Sequence, residues 1–201
     1  RHVTASDDPM ALWAYYRDHL TDTPKSNNRF HLAGQINALF PGIGPFWFNA
    51  LKEDIPHLPR KGLARQGHGQ AERRTAEDQA KGAFTCWQMG GAGAVGGQVM
   101  TGLATLQRLR DTFPDTIAVW PYQTDAKPVH FVENWPTLID PVVRASADPI
   151  RDRAQVSLLT RALAGLPPDR LAAMMDVDAP EEGWILGLGF EPELQEAACR
   201  N

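Results

Sequence analysis

Apolar positions recur every three to four residues in several stretches, and those stretches set the expected elements. Met10, Trp13, Tyr16 or Arg17, and Leu20 share one helical face. Ser6-Asp7-Asp8-Pro9 before them supplies cap candidates and a first-turn proline, and Asp22-Thr23-Pro24 marks the end. A second helix is expected over residues 28–40, with Phe30, Ala33, Ile36, Asn37 and Phe40 in one stripe and Pro41-Gly42 as its stop. Residues 71–82 read as a charged helix, and residues 83–89 as a strand or a helix end. Val99, Leu103, Leu106 and Leu109 define a further helix closed by Phe113-Pro114. Short strands are expected over 116–120 and 129–135, the latter ended by Pro136. Asp148-Pro149 opens a helix carrying Val156, Leu159 and Leu163, which Pro167-Pro168 breaks. Short helices over 169–176 and 181–188 complete the expectation.

Residues 41–70 fit neither period. Prolines and glycines recur there around an apolar knot, Pro45-Phe46-Trp47-Phe48. A loop of this length in a folded domain is either functional or disordered. The aromatics argue for packing, and the stretch from Arg60-Lys61-Gly62 to Gly69 argues for mobility.

Composition narrows the class. The chain has 201 residues, 43% hydrophobic and 22% charged, enough for one domain with a core. Its net charge of −4 gives no basic footprint for nucleic-acid phosphates, which leaves nucleic acid an open question rather than an expected partner. Two cysteines, Cys86 and Cys199, imply a reducing, cytoplasmic setting, and six histidines show no metal-ligand spacing. No apolar run reaches the roughly 18 residues of a membrane span.

Several motifs carry candidate chemistry. Gly91-Ala92-Gly93-Ala94-Val95-Gly96 matches GxGxxG, in which glycines let the backbone approach a pyrophosphate at a helix start. The next expected strand runs into Pro121 and Tyr122, without the acid that meets a ribose. A glycine-rich turn packed tightly on a neighbour explains the pattern as well. Glu133 stands at the end of an apolar strand, where α/β proteins hold ligands, and Asp152 opens a helix, where an acid also stabilises the dipole. Arg73 and Arg74 could neutralise an anion, although Arg73 with Glu77 also makes an i,i+4 pair. Arg60 and Lys61 place two cations in the irregular segment. Cys86, between Thr85 and Trp87, has no base placed beside it and reads as a buried thiol.

Together, Asn27-Asn28-Arg29-Phe30, Gly44-Pro45-Phe46-Trp47-Phe48-Asn49 with Leu58-Pro59-Arg60-Lys61-Gly62, and the run from Gly82-Ala83-Phe84-Thr85-Cys86-Trp87-Gln88 into the glycines carry a resemblance, joined by Val132-Glu133 and Trp135-Pro136. The chain resembles a bacterial family labelled molybdopterin guanine dinucleotide synthesis proteins, itself similar to DUF429-type predicted nucleases of the ribonuclease H fold. That resemblance implies an α/β, ribonuclease H-like fold in partial form, its N-terminal strands missing and a helical segment added. On this reading residues 1–201 are one domain, the C-terminal part of a longer protein lacking about 80 residues. Residues 1–82 form the helical and irregular part, and 83–201 the α/β part.

The resemblance also implies a function. In a ribonuclease H-like site, carboxylates hold Mg²⁺ or Mn²⁺, which activates water and clamps a phosphate. Glu133 and Asp152 are the metal-holding catalytic acids on that template, with Arg73, Arg74, Arg60 and Lys61 facing a small phosphorylated substrate. The expected activity is a divalent-metal phosphoesterase. The alternative is a non-catalytic binding or assembly module linked to molybdenum cofactor metabolism, with Phe46-Trp47-Phe48 as an exposed interface. A third reading is a nucleotide site at Gly91 to Gly96. Substrate and oligomeric state are not fixed by the sequence.

Overall fold

Some helices start where a side chain or a proline answers the free N–H groups of a first turn, and others start without either. In the computed structural model, which describes residues 1–200, the Asp8 carboxylate accepts from the Met10 N–H at 2.9 Å and Pro9 opens α1 (Pro9–His19). The chain divides into two compact units, Arg1–Thr116 and Ile117–Asn201.

The first unit adds α2 (Arg29–Asn37), α3 (Thr75–Gln79) and α4 (Gly96–Thr112), with α1 and α2 both packed on α4. The core is built from Leu32, Ala33 and Ile36 of α2, Phe46, and Met100 and Ala104 of α4. Arg17 of α1 pairs with Asp111 of α4 at 2.6 Å.

Asn37, placed by periodicity in the apolar stripe, is 1% exposed and acts as a polar hub. Its Nδ2 donates to the carbonyls of Phe46 and His57, both at 2.8 Å, and its Oδ1 accepts from the Phe46 N–H at 2.9 Å. These bonds tie the irregular segment to the helix. The helix therefore stops at Asn37, three residues before the expected end, and residues 38–40 continue as a turn. The charged helix expected over 71–82 is only Thr75–Gln79. Residues 83–89 form turns and a single parallel bridge, Trp47 with Gln88, rather than a strand. The ladder cannot extend, because Phe48 next to the bridge has a left-handed φ of 72°.

The second unit holds the only named strands among the described residues, β1 (Ile117–Val119) and β2 (Val129–Phe131), paired in parallel. Mixed helix and strand make the chain α/β in the broad sense. Just past β2, Glu133 makes a parallel bridge with Ile185, its carbonyl accepting from the Leu186 N–H at 2.9 Å. Around the strands lie α5 (Asp140–Ala145), α6 (Arg151–Gly165), α7 (Pro168–Met175) and α8 (Glu191–Cys199), with α6 packed on α8. Residues 181–188 are not helical. Gly183, Gly187 and Gly189 take positive φ there, and the segment between them serves the bridge to Glu133. No helix among the described residues is long and apolar enough to cross a membrane.

Candidate functional site

A cleft of about 400 Å³ opens in the first unit where the start of α2 meets the start of α4. A tight hairpin builds one wall. The Asn28 side chain accepts from the Thr21 N–H at 2.8 Å and donates to the His19 carbonyl at 3.0 Å. Asn27 accepts from the Arg29 N–H at 2.9 Å and donates to the Asp22 carboxylate at 2.8 Å. These bonds fix Asp22 and Asn27 at the rim and aim the chain into α2, whose first residue is Arg29.

The opposite wall is the glycine run and the first turns of α4. Gly91 and Gly93 have φ of 83° and 74°, which side-chain-bearing residues rarely adopt. A Cβ on Gly91 would lie 2.8 Å from the Phe48 ring, and one on Gly93 would lie 2.2 Å from that of Phe84. On Gly96 it would meet the Cys86 carbonyl at 2.5 Å. Packing and backbone conformation thus account for the GxGxxG pattern. Turns, not a strand, precede it, so the context of a dinucleotide-binding fingerprint is absent.

What the glycines leave open is the helix start. The Gly96 N–H donates to the Gln88 carbonyl at 2.9 Å, whereas those of Gly97 and Gln98 meet no acceptor among the described residues. The Arg29 side chain crosses Gly97, where a Cβ would sit 2.9 Å from its Cδ and Nε. Its guanidinium lies 4.9 Å from the centre of the Phe30 ring and has no hydrogen bond or ion pair among the described residues. Gln98 and Thr101 complete the polar lining. The cation and the unpaired amides form an anion-attracting corner, with the Phe30 ring holding the guanidinium by a cation–π contact.

The residues singled out from the sequence sit elsewhere. Arg60 clamps its own loop, donating to the carbonyls of Asn49, Leu51, Lys52 and Glu53 and to the Asp54 carboxylate at 2.8–3.2 Å. Lys61 is exposed beside it. Arg73 donates to the Ala83 carbonyl at 2.9 Å. The expected Arg73–Glu77 pair is replaced by Arg74–Glu77 at 3.0 Å, with Glu77 only 4% exposed. The register of a five-residue helix does not choose between them; burial of Ala76 and Glu77 does so. Glu133 and Asp152 lie in the second unit, exposed, one past β2 and the other in the first turn of α6. Among the described residues no three His, Cys, Asp or Glu side chains gather as a metal site.

The aromatic knot is not an exposed patch. Phe46 is 3% exposed, the Trp47 ring covers Gly62, and Phe48 covers Gly90 and Gly91. Cys86 is half-buried, close to the fully enclosed Tyr16, whose hydroxyl burial pushes well above the ordinary tyrosine value. Arg29 stands in the Asn27-Asn28-Arg29-Phe30 motif but not among the site residues expected from the sequence. A half-buried guanidinium without a hydrogen bond or ion pair among the described residues distinguishes it, and a sequence carries no such signal. Residues of segments 27–30 and 82–97 line this cleft, and segment 44–49 packs against 82–97 behind it. No protein-family model, curated protein or solved structure matches the chain.

Proposed function

We propose that this chain binds a small phosphate ester in the cleft at the start of α4. The observation that carries the reading is the unpaired Arg29 guanidinium. Arg17, Arg60, Arg65, Arg73 and Arg74 of the same unit each commit theirs to a carboxylate or a carbonyl. A half-buried cation without a partner, beside two open helix amides, favours a doubly charged oxyanion that can accept from both. Titration calorimetry with inorganic phosphate and ethyl phosphate tests it. Binding weakened roughly tenfold to a hundredfold by Arg29→Gln supports the reading, since one charge-assisted hydrogen-bonded contact has that weight. Affinity unchanged by Arg29→Gln sinks it.

The phosphate-ester class agrees with the resemblance to the molybdopterin guanine dinucleotide synthesis family and its ribonuclease H-like relatives. The parallel pair β1–β2, with Glu133 just past its end, is compatible with a partial fold of that kind. Hydrolysis by a Mg²⁺ or Mn²⁺ held on Glu133 and Asp152 is the catalytic extension. The two exposed carboxylates alone are not a complete donor set, so no chemical step is assigned to a metal. Mn²⁺ calorimetry on the chain and on Glu133→Gln separates binding from catalysis. The melting temperature of the variant checks that the fold is kept, with the Glu133 carbonyl still accepting from the Leu186 N–H. Saturable Mn²⁺ binding lost in the variant supports the phosphoesterase. Absence of Mn²⁺ binding leaves a phosphate-ester-binding module.

A further inference from the structure

The same cleft holds a second unpaired charge of opposite sign. The Asp22 carboxylate accepts one hydrogen bond, from Asn27 Nδ2, and forms no ion pair among the described residues, either with Arg29 or with any other cation. Opposite charges that share a cleft normally neutralise each other. The smaller cleft of about 210 Å³ in the second unit behaves that way, with Arg170 Nε bonded to Glu193 at 2.9 Å and Arg200 to Glu196 at 2.7 Å. In the first unit the hairpin bonds hold Asp22 on one wall, while the contact with Gly97 and the Phe30 ring holds Arg29 on the other.

Resting on the phosphate-site reading above, we infer that the ligand is a small aliphatic phosphomonoester bearing a hydrogen-bond donor, a hydroxyl or an ammonium, which Asp22 receives. The phosphate faces Arg29 and the amides of Gly97 and Gln98, and the donor faces the open carboxylate oxygen. A bare phosphate would leave Asp22 unanswered and would meet its repulsion. A nucleobase has no platform, because no aromatic side chain lines the cleft: Met89, Ala94, Gln98 and Thr101 do. The volume of about 400 Å³ accommodates a ligand of a few carbons with its hydration.

The experiment is calorimetry on the full chain with three probes that share a two-carbon chain: ethyl phosphate, 2-hydroxyethyl phosphate and O-phosphoethanolamine. The donor-bearing probes are expected to bind about tenfold more tightly than ethyl phosphate, the weight of one hydrogen bond to a charged group. In Asp22→Asn that ratio falls toward one while ethyl phosphate binds as well as before or better, and thermal melting confirms an intact hairpin fold. Equal affinity for all three probes in the native chain overturns the inference and leaves the phosphate site standing. A preference that survives Asp22→Asn overturns it too. If none of the probes binds, the phosphate-site reading itself fails, and this inference with it.

Discussion

The Arg29 side chain occupies the space that a Cβ on Gly97 would need, 2.9 Å from its Cδ and Nε. Gly97 is helical, so alanine there suits the backbone and favours the helix by up to about 1 kcal/mol. It also displaces the guanidinium from the cleft. Gly97→Ala should therefore lower phosphate affinity about tenfold without lowering the melting temperature. Calorimetry paired with thermal denaturation checks this, and full affinity in the variant would show that the close approach does not position Arg29.

Glycines before and within α4 differ sharply in what they tolerate. Gly93 has φ of 74° and lies against the Phe84 ring, whereas Gly102, inside α4, has nothing within 4 Å of an added Cβ. Gly93→Ala should destabilise the chain by about 1–3 kcal/mol through backbone strain and the displaced ring. Gly102→Ala should stabilise it by about 0.5–1 kcal/mol. Urea unfolding of the two variants side by side should give opposite signs.

Asn37→Ala should be among the most damaging single changes in the first unit. It leaves the Phe46 N–H and the Phe46 and His57 carbonyls without their partner in a buried setting. The expected loss is about 3 kcal/mol, read as a lower urea midpoint. Asn37→Asp should also destabilise, because a carboxylate cannot donate to the two carbonyls.

The link between α1 and α4 gives a pH signature. The Asp111 carboxyl is held below the ordinary aspartate value by its bond to Arg17, with Gln107 Nε2 adding a second donor at 2.8 Å. A depressed folded value adds stability above the unfolded value of about 3.9, and that stability is lost as pH falls through the folded value. The pair is solvent-exposed, so its weight is no more than about 0.5 kcal/mol. Native chain and Asp111→Asn should differ by that amount at pH 7, and the difference should shrink as pH falls below the unfolded value and through the lowered folded one. A constant difference across that range would assign the effect to packing instead.

Much of the helical framework was legible. Asp8-Pro9 starts α1 as its capping chemistry demands, and Pro167-Pro168 separates α6 from α7. Strands 117–119 and 129–131 fall within the expected ranges, the first shortened at both ends and the second at its C-terminal end. The failures share a cause. Residues 83–89 have strand-forming side chains but no partner able to form more than one bridge, and residues 181–188 have apolar content but glycines in left-handed backbone. Helix α8 was not among the expected elements, although Glu191-Pro192 places a proline in its first turn. For the site, charge was taken as availability. Arg60, Arg73 and Arg74 are charged but engaged with neighbouring backbone and carboxylate groups.

By itself, the sequence determined where helices can start and stop, because caps, prolines and apolar periodicity act within a few residues. It also determined that the chain carries a core and no strong basic face. Only the tertiary structure decided which charges are satisfied. Whether a guanidinium meets a carbonyl depends on chain segments that folding brings together, such as residue 73 with residue 83, or residue 29 with residue 97. Arg29 and Asp22 stand out for that reason, as opposite charges held apart in one cleft by a hairpin and a helix start.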